Sequence, residues 1–183
     1  MTKDIVMAGF GGQGILMIGN LLALAAMEEG KNVTYFPSYG VEMRGGTANC
    51  TVVVSDEEIG SPVVGRPASL LIMNGPSLAK FLPNLQPGGD LVINSSLVDG
   101  SKVDRKDVRL LAVAADEIAR TRIGSRQMAS MIALGAYVGL TGVVRLETLI
   151  ACLPKVISKK YEKFIPLNVN ALKEGAALAG IHA

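Results

Sequence analysis

At 183 residues, 49% hydrophobic and only 19% charged, the chain is long enough for one self-sufficient core and carries less charge than the ~25% of an average soluble domain. Its net charge of +2 is spread without a basic stripe or basic–aromatic alternation, which gives a nucleic-acid-binding surface no support. The two cysteines, Cys50 and Cys152, form no spaced pair, which excludes an iron–sulfur or zinc site built from this chain alone.

Asp4–Phe10 (DIVMAGF) is a short apolar run and reads as a buried strand. Gly9–Gly14 (GFGGQG) is a tight loop, and Ile15–Glu29, apolar nearly all round, is a helix buried on most sides. Gly30 stands where a helix stop belongs. Asn32–Phe36 is a second strand, ended by Pro37. Strand, glycine loop, helix and strand predict a βαβ unit with two parallel strands. Ser38–Cys50 is dense in glycine and polar groups and reads as a loop, followed by a β-branched strand over Thr51–Ser55.

Ala68–Met73, Leu91–Asn94 and Val108–Val113 are further strands. A helix over Pro76–Leu85 starts with proline in its first turn, and Pro87-Gly88-Gly89 is a turn. Asp116 is placed to cap a long helical region running to about Leu140, broken near Gly124-Ser125. Gln127–Val144 is uncharged, but serine, threonine and glycine interrupt it, so it reads as a buried helix and not as the ~20 strongly apolar residues of a membrane span. Pro154 kinks or splits any helix over Glu147–Tyr161, and Pro166–Ala179 is a last helix. The start of the chain lacks the apolar core of a signal peptide, and a reducing cytoplasm suits the two unpaired cysteines. The expected fold is α/β: one domain over 1–183, a mostly parallel sheet flanked by helices on both faces, with a Rossmann-like start.

Gly9, Gly11 and Gly14 match G-x-G-x-x-G between a strand and a helix. Such a loop lets backbone N–H groups approach an anion, and the helix N-terminus adds positive potential. Gly11, Gly12, Gln13 and Gly14 are thus candidates for a phosphate cradle; the competing reading is a tight turn needed only for packing. The dinucleotide fingerprint also needs an acid at the end of the second strand, where this chain has Tyr35-Phe36-Pro37. Pro37–Cys50 (PSYGVEMRGGTANC) reads as a contact loop, with Tyr39, Glu42, Met43, Arg44, Gly45 and Gly46 as its candidate residues. Arg44 offers a planar fork for a carboxylate or phosphate. Gly135 and Gly139, one helical turn apart, admit a closely packed neighbour, inside the domain or across an interface.

GFGGQG at 9–14 followed by SYGVEMRGGTANC at 38–50 closely resembles the gamma subunit of 2-oxoacid:ferredoxin oxidoreductases, in the form typical of the 2-oxoglutarate and branched-chain types. Ile59-Gly60-Ser61-Pro62, Met73-Asn74-Gly75-Pro76-Ser77, Pro87-Gly88-Gly89, Asn94-Ser95-Ser96 and Pro166-Leu167-Asn168 are similar too, and Val41 replaces the usual proline. The resemblance implies a complex that converts a 2-oxoacid, with 2-oxoglutarate favoured, and coenzyme A into acyl-CoA, CO2 and reduced ferredoxin. In that family thiamine diphosphate and magnesium sit between alpha- and beta-type subunits, and iron–sulfur clusters sit in beta- and delta-type subunits. The gamma subunit holds none of these and has an accessory role.

The resemblance also associates this domain with coenzyme A, so Gly11, Gly12, Gln13, Gly14 and Arg44 become candidates for its phosphates. A rival placement sets the Tyr39–Gly46 loop against the alpha-type subunit, walling the thiamine site. No catalytic residue is named; His182, the one histidine, stands next to the last residue. The surplus apolar surface predicts a buried subunit interface, and dimerisation of the isolated chain. Two alternatives are weaker. A stand-alone Rossmann-type oxidoreductase lacks its ribose-binding acid and a catalytic constellation, and an indolepyruvate-type small subunit fits the Glu42-Met43-Arg44 form less well.

Overall fold

In a computed structural model, which describes residues 2–38 and 47–180, the apolar runs above become the strands β1 (Thr2–Phe10), β2 (Asn32–Ser38), β3 (Thr47–Ser55), β4 (Ser69–Ile72), β5 (Asp90–Asn94) and β6 (Arg109–Val113). They form one sheet in the order β2-β3-β1-β4-β5-β6. The helices are α1 (Ile15–Glu28), α2 (Gly75–Phe81), α3 (Ala115–Ile118), α4 (Ala129–Thr141), α5 (Leu146–Val156) and α6 (Ile165–Ala179). β1, β4, β5 and β6 pair in parallel, while β3 is antiparallel to both β1 and β2.

The expected βαβ unit is therefore split. β1 and β2 run the same way, but β3 lies between them, paired along β1 from Thr2↔Ser55 to Phe10↔Thr47. Thr47–Cys50, polar enough to read as loop, belongs to β3, because the strands on either side supply its ladder. Pro37 does not end β2 either. β2 is a sheet edge, where a missing N–H costs least.

α1, α4, α5 and α6 pack with one face of the sheet, around Met7, Cys50, Val52, Leu71 and Val92. α2 packs on the other face, where Leu78 and Leu82 meet Val6, Leu70, Ile72 and Leu91. Tyr137 of α4 is fully buried on the first face and shares a 3.4 Å hydrogen bond with Ser69 at the start of β4. The small residues of α4 are used inside the domain: added Cβ atoms at Gly135 and Gly139 would strike the backbones of Leu172 and Ala176 in α6.

Two asparagines organise strand-to-helix joints. Asn74 caps α2, its Oδ1 accepting the Ser77 N–H at 2.8 Å. Asn94 Oδ1 accepts the Ala115 N–H at 3.1 Å while its Nδ2 donates to the Asp116 carboxylate. Asp116 thus does not cap α3 as expected; the cap comes from the end of β5, since Asp116 already lies inside the first turn. A π-helical turn, Ala119–Ile123, leads to the expected break at Gly124, which takes the left-handed conformation (φ 83°). Pro154 falls in the last turn of α5, and the chain resumes in a 3-10 segment, Lys159–Phe164. Among the described residues, no helix is long and apolar enough to cross a membrane.

Candidate functional site

β1 ends in a loop held by one side chain. Gln13 Oε1 accepts the Phe10 N–H at 2.6 Å, and Gln13 Nε2 donates to the Met73 carbonyl at 3.4 Å, tying the ends of β1 and β4 together. The glycines have separate reasons to be there. A Cβ at Gly9 would fall 2.6 Å from Gln13 Oε1, so Gly9 is a packing residue. Gly12 and Gly14 need the left-handed region (φ 91° and 78°). Gly14 also abuts Ser130, whose Oγ lies 2.7 Å from where a Cβ would stand, whereas Gly12 faces open space.

α1 begins without a side-chain cap and without an acid in its first turn. The Ile18 N–H is the first to bond to a carbonyl of that turn, at Gly14 (3.1 Å). The preceding N–H groups therefore point out of the helix end unsatisfied by it, and they carry the positive end of its dipole.

This loop forms one wall of a cleft of about 650 Å³. Met73 beyond β4 and Asp116 beyond β6 contribute to it, as do Arg126, Ser130, Tyr161 and Phe164. The cleft lies outside the carboxyl ends of the parallel strands. There β1 and β4 are neighbours whose following helices, α1 and α2, cover opposite faces. Such a crevice is the usual ligand position of an open α/β sheet.

Gly12, Gln13 and Gly14 line the cleft, and Gly11 stands exposed at the loop tip. Tyr39, Glu42, Met43, Arg44, Gly45 and Gly46, like His182, lie outside the described residues. Ser130, Arg126 and Tyr161 were missed by sequence reading. They come from segments more than a hundred residues from the loop, and only the Gly124-Ser125 break hinted that a helix starts there. β2 lies two strands from β1 on the side away from β4, about 10 Å at ordinary strand spacing, so the position of a ribose-binding acid is displaced as well as unfilled.

Cys50 packs under α1 with its Sγ 3.6 Å from the Ile15 carbonyl, and burial pushes its thiol up to about 12. Among the described residues, no three His, Cys, Asp or Glu side chains are grouped to hold a metal.

Residues 4–178 match the family described as Pyruvate ferredoxin/flavodoxin oxidoreductase. The chain belongs to that family. Among its members, ketoisovalerate oxidoreductase subunit VorA of Methanothermobacter marburgensis is 38% identical over 174 residues, covering 94% of this chain and 35% of that protein. The chain thus spans about a third of the length of that relative. The 2-oxoglutarate synthase subunit KorC of the same organism is 35% identical over 152 residues, 80% of this chain and 82% of that protein.

Two family structures share the fold. The gamma subunit of keto/oxoacid ferredoxin oxidoreductase from Geobacter sulfurreducens PCA superposes with a TM-score of 0.84 at 31% identity, covering 98% of this chain and 99% of that one. The 2-oxoglutarate:ferredoxin oxidoreductase of Magnetococcus marinus, solved with 2-oxoglutarate, coenzyme A and succinyl-CoA, gives 0.89 at 26% identity, covering all of this chain (100%) and 32% of that one. Membership in this family disfavours the stand-alone Rossmann reading.

Proposed function

We propose that the chain is the gamma subunit of a cytoplasmic 2-oxoacid:ferredoxin oxidoreductase, with 2-oxoglutarate the favoured 2-oxoacid. The observation that carries the reading is coverage: this chain and the Geobacter gamma subunit correspond almost end to end. KorC, also matched over most of its length, favours 2-oxoglutarate. In this reading the alpha-, beta- and delta-type subunits hold thiamine diphosphate, magnesium and the iron–sulfur clusters and pass electrons to ferredoxin. The chain described here supplies shape and a phosphate cradle.

Coenzyme A, the acyl acceptor of the reaction, is the ligand proposed for the cleft. Gly11, Gly12 and Gly14 would hold its phosphates by backbone N–H groups, since Gly12 leaves the approach open and α1 presents an uncapped N-terminus, while Gln13, whose own N–H donates to the Phe10 carbonyl, would hold the turn in shape. Ser38 and Thr47, which flank the 39–46 segment, lie at the same end of the sheet as the glycine loop, because Thr47 pairs with Phe10. That supports a role for Arg44 beside the phosphates, and for Tyr39, Glu42, Met43, Gly45 and Gly46 against a partner subunit.

Affinity purification of the chain from its native cells tests the assembly: larger thiamine-binding chains are expected to come with it, and their absence would refute the subunit reading. In the assembled complex, Gly12→Val is expected to raise KM for coenzyme A and leave KM for the 2-oxoacid unchanged. An unaltered KM for coenzyme A would remove the loop from the ligand site.

A further inference from the structure

We propose that Met73-Asn74-Gly75-Pro76-Ser77 is a positioning element for the glycine loop, and that Asn74 acts on the loop through the Met73 carbonyl and the Gln13 side chain. The inference rests on the reading of the loop as a ligand-facing wall, and it gives a role to a motif that the proposed function leaves unused.

β1 and β4 pair in parallel up to Ala8↔Ile72, and the Met73 N–H continues the ladder to the Ala8 carbonyl at 2.8 Å. In a regular parallel ladder the next bond would run from the Phe10 N–H to the Met73 carbonyl. The Gln13 amide stands in that rung instead. Its Oε1 accepts the Phe10 N–H at 2.6 Å, and its Nε2 donates to the Met73 carbonyl at 3.4 Å. One side-chain amide thus takes the place of a direct backbone bond, holding the ends of β1 and β4 apart and in register at the mouth of the cleft. An amide suits the position because it accepts on one atom and donates on the other. Gly9 makes the room: a Cβ there would fall 2.6 Å from Gln13 Oε1 and 2.9 Å from Met73 Cβ. The Gln13 N–H then closes the turn on the Phe10 carbonyl at 3.1 Å.

Asn74 fixes the far end of this wedge. It is only 1% exposed, its Oδ1 accepts the Ser77 N–H at 2.8 Å, and its own carbonyl accepts the Leu78 N–H at 3.2 Å. Its Nδ2 is buried without a hydrogen-bond partner among the described residues, so the side chain is held by its oxygen alone. The cap sets the backbone of the residue joined to the Met73 carbonyl, and with it the direction in which that carbonyl meets Gln13. α2 packs on one face of the sheet and α1 on the other. The position of α2 is therefore passed through Asn74, Met73 and Gln13 to the turn that leads into α1.

Residue-resolved hydrogen exchange of the full chain, without ligand, tests the wedge. Gln13→Met removes both bonds at nearly unchanged length and is expected to speed exchange of the Phe10 amide about tenfold or more, while the amides of α4 keep their rates. Asn74→Ala is expected to speed Phe10 exchange as well, and to add nothing in a Gln13→Met background. Gln13 is half-buried in a loop, so its variant keeps the test open should Asn74→Ala fold poorly. An unchanged Phe10 rate in Gln13→Met would overturn the wedge, and additive effects in the double variant would overturn the action of Asn74 through Gln13. In the assembled complex, Gln13→Met is expected to raise KM for coenzyme A about tenfold and leave KM for the 2-oxoacid unchanged, whereas a merely structural defect would leave less intact complex and move neither KM. A KM for coenzyme A that Gly12→Val raises and Gln13→Met does not would overturn the positioning role and leave the glycine-loop reading standing. A KM that neither variant raises would overturn the loop reading, and Phe10 exchange then decides the wedge by itself.

Discussion

Gly135 of α4 lies so close to Leu172 of α6 that one added methyl group would overlap the Leu172 carbonyl oxygen. Gly175 makes the reciprocal approach to Ile132, and a Cβ added at Gly139 would stand 2.8 Å from the Ala176 carbonyl oxygen. The crossing fixes α4, and with it Ser130 at the cleft. Gly135→Ala forces two backbones apart and is expected to cost about 1–3 kcal/mol. In a chain of this size that lowers Tm by roughly 2–12 °C. Gly60→Ala, with nothing within 4 Å, is the control and should be neutral. A Gly135→Ala protein as stable as wild type by calorimetry would refute the close packing.

Asn94 serves three groups at once, the Ala115 and Ser96 N–H groups and the Asp116 carboxylate. Asn94→Ala leaves a buried donor unmet and is expected to cost about 1–3 kcal/mol. Urea unfolding should show a lower midpoint at an unchanged slope, and an unshifted midpoint would contradict the capping role.

Asp4 and Glu29 should titrate with opposite effects. Burial raises the Asp4 carboxyl above its usual range despite the N–H of Ala68, so the folded state keeps its proton longer than the unfolded one. Native stability from this group is then lost as pH rises through the carboxylate range, and Asp4→Asn should gain on wild type at pH 7 but not at pH 3. At Glu29 burial acts to raise the carboxyl, but hydrogen bonds from the Arg145 backbone, the Thr148 side chain and the Arg145 side chain outweigh it and lower it. Its contribution is present at neutral pH and lost as pH falls, so Glu29→Gln should lose Tm at pH 7 and converge with wild type near pH 3. Paired melts at the two pH values check both signs; the same sign for both variants would show the assignment wrong.

Both cysteines are sealed, at 0% and 2% exposure, and burial raises both thiols, Cys50 to about 12. A disulfide-exchange reagent at pH 8 is expected to find no reactive thiol in the native chain and two after denaturation. Rapid labelling of the folded protein would contradict the packing of Cys50 beneath α1.

Phe36 is in register with Thr51 and Val6, and Leu110 with Leu91, so both project from the face that carries α2. They are 49% and 40% exposed, at the two margins of that face. The isolated chain is expected to self-associate through this surface, and Phe36→Lys should reduce the association in light scattering. A clean monomer of the wild-type chain at micromolar concentration would count against it.

Much of this was legible because it is local. The glycine-loop turn, the apolar α1, the Gly30 stop and the Gly124 break are each dictated by a few adjacent residues, so composition and spacing sufficed. The family resemblance was legible for the same reason, since its motif residues lie at turns and caps such as Asn74, Asn94 and Gly88-Gly89. Thr47–Cys50 was not, because a polar segment becomes a strand when two neighbours offer it hydrogen bonds, and neither neighbour adjoins it in sequence.

By itself, then, the chain of residues determined an α/β fold, a permissive glycine turn and two cysteines without the spacing of a metal site. Only the tertiary structure decided that β3 separates β1 from β2, and that Ser130 and Arg126 line one cleft with residues 12–14. The physical reason is range. Backbone conformation is chosen by neighbours a few residues apart, whereas a cleft is assembled by helix crossings such as Gly135 on Leu172, which depend on contacts between distant segments.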